Sequence, residues 1–360
     1  MKCLKREETI INELSELYKS RGFRRYKPAC FEEYSLYQDN KDFLIGKNVI
    51  SFSDMSGKLM AMRPDVTLSL IRHNDILNDM AEKFFYNEKV YRQAAGGKNY
   101  KEISQVGVEV VGKIDMAVVA ELTVLICRTL ATVGENYVLD ISHTGFTEGL
   151  LKEFGADKKQ VIEYLKAKNL HDYAKLSSVR KYDDKLNNAF KIAVKTEDNI
   201  VSKLDEAEKA ALNSEMINAV SELKNLYKIL QKFGYADKIN VDFSAYGNAD
   251  YYNGIVFNGY IKEIAHRVLS GGRYDRLLNK FGKCGGAIGF ALYLGEIDRY
   301  LAKDDDCVDY LIIYNEKTQI KALELAESRL KEGSSVRIST SKPFGLVFKN
   351  IVDLSDGGEQ

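Results

Sequence analysis

The spacing of apolar positions changes several times along this chain, and each change marks an element. Ile10, Leu14, Leu17 and Tyr18 recur at helical spacing, which predicts a helix over residues 5–21, with Gly22 where a C-terminal cap belongs. The stretch YKPACFEEY then reads as extended, because Pro28 disfavours helix at and before it. VISFSDMSGKLMAMRPDVTLSLIRH predicts two strands around the turn MSGK, then a helix opening near Pro64 with Asp65 at the positive end of its dipole. KFFYNEKVYRQ and YKEISQVGVEVVG flank AAGGK and predict a hairpin. An apolar-periodic helix over 115–133 and a strand at YVLDISHT follow.

From about 146 to 236 the chain is rich in Lys, Glu and Asp and reads as helical throughout. Ile217, Val220, Leu226, Leu230 and Phe233 predict one buried face there, closed by Gly234. Strands resume at INVDFSA and at YYNGIVFNGY, whose later residues alternate apolar and polar. IAHRVLSGGRYDRLL comes next, and CGGAIGFALYLGEIDRYL reads as a glycine-rich strand running into a helix. After DDDC, a linker by composition, VDYLIIY, a helix over 317–331, SSVRIST and FGLVFKN predict a small β-α-β-β tail.

Composition narrows the classes. Of 360 residues, 52 are Lys or Arg and 52 are Asp or Glu, a balance that argues against a dedicated nucleic-acid binder. Cys3, Cys30, Cys127, Cys284 and Cys307 are scattered and odd in number, which predicts reduced thiols and a cytoplasmic setting. Four histidines without a cluster suggest no metal site. The charged N-terminus does not read as a signal peptide, and no run of eighteen apolar residues predicts a membrane span.

Four constellations carry candidate chemistry. GNADYYNGIVFNGY sets Asp250, Tyr251 and Tyr252 ahead of a strand, a lining for a small polar pocket, yet it holds no Lys, Arg or His. In MRPDVTLSLIRH, with Arg63, the acid Asp65 and the hydroxyl Thr67 can accept from and bond to an ammonium group, or can simply cap a helix. Gln105 and Glu109, four apart on a strand, face one side. Val106, Val108 and Val110 suggest that this strand is buried, so Glu109 needs a partner, either a ligand N–H or a structural Arg. Arg92, beside AAGGK, is a clamp for phosphate or carboxylate, or a solvated hairpin residue. Gly271 and Gly272 permit close backbone approach, but no phosphate-loop pattern accompanies them.

Taken in order, RPDVT, VYRQ with SQVGVE, DYYNGIVF, GGRYD and GGAIGFAL resemble the class II histidyl-tRNA synthetase family over roughly residues 1–300. The resemblance implies an α+β fold: a synthetase-like core over 1–303, with an antiparallel six-stranded sheet flanked by helices. It also implies a helical insertion at 146–236, a truncated α/β half-domain at 304–360, and a homodimer whose first motif is YKPACFE, with Pro28 and Glu32. It implies a pocket for L-histidine, with Asp65, Thr67 and Gln105 at the α-amino group, Glu109 and Tyr252 at the imidazole, Tyr251 in packing, and Arg92 retained.

The chain departs from the synthetase pattern where ATP would be held. Gly247 stands in place of an arginine, Ala94 in place of a glutamate, and Gly295-Glu296 in place of the Glu-Arg of a late motif. Losing one preorganised charge clamp costs about 3–4 kcal/mol of transition-state stabilisation, so two losses predict roughly four to six orders of magnitude in rate. Residues 301–360 carry 8 Lys plus Arg and 11 Asp plus Glu, a net of −3, which suits a tRNA backbone poorly. With these departures the chain resembles the family of ATP phosphoribosyltransferase regulatory subunits. That implies no catalytic residues, no cofactor, L-histidine as allosteric ligand, a short-form catalytic subunit as partner, and neither tRNA nor membrane. An active synthetase and a synthetase-like binder of another amino acid are the alternatives.

Overall fold

The computed structural model describes residues 6–44, 48–75, 79–93, 99–197, 199–245, 251–295, 297, 307–343 and 347–355. Helix α1 (Arg6–Ser20) forms where the apolar spacing places it, with Ile10, Leu14 and Tyr18 fully buried. Gly22, at φ +81°, turns the chain out of it. Strand β1 (Arg24–Arg25) leads to β2 (Phe31–Glu33) and the short α2 (Tyr34–Gln38). Strands β3 (Ser51–Ser53) and β4 (Leu59–Met62) flank the expected turn. There Asp54 Oδ1 accepts from the backbone N–H of Ser56 and Lys58 at 2.8 and 2.9 Å. These strands make a small sheet of order β2-β4-β3.

Helix α3 (Thr67–His73) begins three residues after Pro64, later than the sequence suggests. Arg63 instead bonds alongside β5 (Ala81–Gln93), and the chain bends at Pro64: Arg63 N–H donates to Cys30 O, and Tyr91 N–H donates to Arg63 O. The hairpin of β5 and β6 (Tyr100–Gly112) pairs without a break from Ala81↔Gly112 to Gln93↔Tyr100. Helix α4 (Met116–Val133) is capped by Asp115, which accepts from Val118 N–H at 3.0 Å. It is long and apolar enough to cross a membrane, but 61% of it is buried within the protein, the pattern of a core helix.

Strand β7 (Tyr137–His143) runs directly into the helical stretch: α5 (Thr144–Lys152), α6 (Lys158–Lys166), α7 (Leu170–Arg180), α8 (Asp184–Val194), α9 (Ile200–Ala210) and α10 (Ser214–Lys232). Asn169, Asp183, Asn199 and Asn213 cap four of these helices with side-chain acceptors, which is why a uniformly helical pattern breaks into short pieces. The buried face of α10 is Met216, Ala219, Val220, Leu223, Leu226 and Leu230. Ile217 and Phe233, expected on that face, are 46% and 65% exposed; the true stripe runs one residue earlier at its start and ends before Phe233.

The chain returns through β8 (Ile239–Val241), β9 (Ile255–Ile261), β10 (Leu269–Arg273), α11 (Asp275–Lys280) and β11 (Gly286–Tyr293). The large sheet has eight strands in the order β1-β5-β6-β11-β10-β9-β7-β8. Its six central strands are antiparallel throughout, as the resemblance implies; β1 and β8 add one parallel strand at each edge. β9 is buried on both faces rather than alternating, because helices cover one side and the pocket residues the other.

The compact units are Leu14–Glu296 and, separately, Met1–Glu13 with Ile297–Gln360. In the second, β12 (Cys307–Ile313), α12 (Gln319–Lys331), β13 (Val336–Ser339) and β14 (Val347–Asp353) make a parallel sheet of order β13-β12-β14. Ile312, Ala322 and Ala326 form its small core.

Candidate ligand-binding site

The glycines of β6, β10 and β11 make room for a pocket on one face of the sheet. Gln105, Gly107 and Glu109 share a face of β6. Gly107 lies opposite Tyr86 of β5, and a Cβ there would sit 2.5 Å from the tyrosine ring. Glu109 lies opposite Gly289 of β11, where a Cβ would fall 1.8 Å from Glu109 Oε2. At Gly272 it would meet the Tyr252 ring at 2.7 Å, and at Gly271 the Gly289 carbonyl oxygen at 2.3 Å. The glycines of LSGGRYD and GGAIGFAL thus admit side chains and neighbouring strands.

The resulting cavity, about 360 Å³ and partly open to solvent, brings together all seven residues singled out in the sequence: Asp65, Thr67, Arg92, Gln105, Glu109, Tyr251 and Tyr252. Tyr86, Tyr274 and Tyr293 also line it. Sequence reasoning missed these three. Tyr274 lies within the quoted GGRYD and Tyr86 faces Gly107 across the hairpin, so the hairpin register was the available signal for the second.

Glu109 is 3% exposed, and among the described residues its partners are two hydroxyls rather than an arginine. Thr67 Oγ1 donates to its Oε1 at 2.6 Å, and the Tyr274 hydroxyl donates to its Oε2. Burial pushes its pKa up to about 8, with the two hydroxyls pulling the other way. Asp65 combines both roles weighed for it. Its Oδ1 accepts from Leu68 N–H at 3.0 Å, a helix-start contact, while the residue lines the pocket. Burial raises its pKa, against the pull of Arg92, whose Nη2 is 3.8 Å from Oδ2. Arg92 is no solvated hairpin residue; its Nε donates to Pro64 O at 2.8 Å.

Arg63 stands apart from the pocket. It is 2% exposed and donates to Pro28 O, Ala29 O, Lys89 O and Glu88. Ala94, Gly247, Asp250 and Glu296 lie outside the described residues, and Gly295 is exposed. Among the described residues, the site is therefore a small enclosure with two buried carboxyl groups, one guanidinium, an amide and a ring of phenols. That inventory suits a compact ligand bearing N–H donors.

The fold and site define a class II synthetase-like protein: the profile of the histidyl-tRNA synthetase family matches residues 2–297, and the chain belongs to that family. A curated relative from Bacillus thuringiensis (strain Al Hakam), named ATP phosphoribosyltransferase regulatory subunit, is 27% identical over 348 residues, covering 92% of this chain and 82% of its own. Among solved structures, an ATP phosphoribosyltransferase regulatory subunit/histidyl-tRNA synthetase from Bacillus halodurans C is similar with a TM-score of 0.75 at 20% identity, covering 97% and 93% of the two chains. Histidyl-tRNA synthetase from Nostoc sp. PCC 7120 follows with 0.71, 19%, 94% and 83%. A chain of the ATP phosphoribosyl transferase (HisG:HisZ) complex from Thermotoga maritima gives 0.63, 22%, 80% and 97%. At these identities the structures speak to fold, which both kinds of protein share.

Proposed function

We propose that this chain is the regulatory subunit of ATP phosphoribosyltransferase, the enzyme that condenses ATP with phosphoribosyl pyrophosphate at the start of histidine synthesis. It carries no catalysis itself. It associates with a short-form catalytic subunit, sustains that subunit's activity, and binds L-histidine as the feedback signal. The observation that carries this reading is the hydrogen-bonding inventory of the pocket. Among the described residues, two buried carboxyl groups and five tyrosines face one arginine, itself engaged with Asp65 and Pro64. Such a pocket favours an amino acid with an N–H-bearing side chain over a triphosphate. The curated relatives' name supports the same reading.

In this reading Asp65, Thr67 and Gln105 hold the α-amino group, and Glu109 and Tyr252 the imidazole. Tyr251 packs against Tyr252, their rings 4.8 Å apart. The aminoacylation site is degenerate at Gly247, Ala94 and Glu296. Histidine binds one quaternary state more tightly and draws the population toward the less active one. The chain also pairs with itself. The small sheet exposes Phe31 and Phe52, which touch edge to face at 5.2 Å, with Leu59 and Met55 nearby in sequence, an apolar face suited to a second copy. The acidic tail, net −3, argues against tRNA as a partner.

Histidine-dependent exchange of pyrophosphate into ATP separates this reading from an active synthetase. No exchange above background, with histidine alone among the amino acids raising the melting temperature, is the expected result. Robust exchange would overturn it.

A further inference from the structure

Helix α3 supplies Asp65 and Thr67 to the pocket from its start, and its next buried polar residue points elsewhere. Ser69, fully buried, donates to Glu32 Oε1 on β2. Its hydroxyl also lies 3.0 Å from that of Tyr26. Glu32 is 8% exposed and pairs with Ala61 of β4, so it stands on the inner side of the small sheet whose outer side bears Phe31 and Phe52. One helix therefore bonds on one side to the pocket carboxylate, through Thr67 and Glu109, and on the other to the sheet carboxylate, through Ser69 and Glu32.

The core that packs against α3 through Leu68, Leu70 and Ile71 also holds an unsatisfied group. The Tyr37 hydroxyl is buried with no hydrogen-bond partner among the described residues. Burial raises its pKa, with the carboxyl groups of Glu32 and Asp65 as lesser causes. A buried unpaired hydroxyl is a standing cost to this arrangement.

We propose that Glu32 and Ser69 are positioning residues, which hold α3 for the pocket and transmit pocket occupancy to the β2-β4-β3 sheet. The proposal rests on the reading of the pocket as a histidine site. The physical route is short: ligand, Asp65 and Thr67, one turn of helix, Ser69, Glu32, β2. It needs no distant wire, only a helix with a polar contact on each side.

Hydrogen–deuterium exchange on the full chain, with and without saturating L-histidine, tests it. In the wild type, histidine should slow exchange at 67–73 and also at 31–33 and 59–62. In Ser69→Ala, histidine should bind about tenfold more weakly, the loss expected for one hydrogen bond to a charged group. At saturation it should still protect 67–73 but no longer 31–33 and 59–62. Glu32→Gln, whose amide oxygen still accepts from Ser69, should keep both protections. Equal protection of the small sheet in Ser69→Ala and wild type, or none in the wild type despite binding, overturns the proposal. Absence of any histidine binding to the wild type overturns the reading of the pocket itself.

Discussion

The pocket region and the C-terminal unit are built on opposite terms. Around Glu109, six antiparallel strands form the sheet under the pocket, and Asp65, Thr67, Arg92, Glu109 and Tyr274 are all hydrogen-bonded. In the C-terminal unit, three parallel strands carry one helix, and Val347 and Ile351 of β14 stay 63% and 46% exposed. Parallel sheets are ordinarily covered on both faces, whereas β14 leaves these apolar side chains exposed. The difference teaches where the protein holds its precision. A pocket with two buried carboxylates tolerates little change, whereas the tail is loosely specified and acidic.

The comparison is broken most forcefully at Glu109. Glu109→Ala removes the acceptor of two hydroxyls and the N–H acceptor for the ligand. Histidine affinity should fall about a hundredfold or more by calorimetry, with circular dichroism unchanged. Unchanged affinity would remove Glu109 from the binding site. Gly289→Ala should act next most strongly. Its Cβ would fall 1.8 Å from Glu109 Oε2, so the carboxylate must leave its seat. Overpacking of this kind costs about 1–3 kcal/mol, read as a lower melting temperature with roughly tenfold weaker histidine binding.

A smaller effect sharpens the electrostatic half of the comparison. Glu109 titrates at about 8 in the fold, against an ordinary value of 4.5. Between those values the folded chain holds a proton that the unfolded chain has released. This group's contribution to stability is therefore full below about pH 4.5 and is lost as the pH rises through about 8. Glu109→Gln, which mimics the protonated acid, should flatten the melting temperature across that window and exceed wild type at its upper end. An unchanged slope would show that Glu109 is ionised in the empty pocket. The smallest effect belongs to the tail: Ile351→Thr, at an exposed strand position, should shift stability by no more than about 0.5 kcal/mol in denaturant unfolding and leave histidine binding unaltered.

Much of this was legible before the structure, and the limits have physical causes. Local signals placed α1, the β5-β6 hairpin, α4 and the tail, because each rests on a period or turn within a few residues. The seven pocket residues were legible as an ordered set of short motifs, although alone each fitted a structural role equally well. Tyr274 bonding Glu109 was not, since it depends on strands paired across about 165 positions of chain. Gly271 and Gly272 were legible as permitting close backbone approach; what they and Gly107 and Gly289 also do is admit Tyr86, Tyr252 and Glu109 against neighbouring strands. On α10, the exposed Ile217 and Phe233 show that a periodic stripe leaves its edges undetermined until the neighbouring helices are in place.

The most direct test of the central claim is reconstitution. The full chain and the short-form catalytic subunit from the same source would be mixed, and phosphoribosyl-ATP formation followed from ATP and phosphoribosyl pyrophosphate. The account predicts a large gain in rate on mixing, reduced by added L-histidine, with the reduction lost in Glu109→Ala. No gain and no co-elution of the two proteins would contradict it.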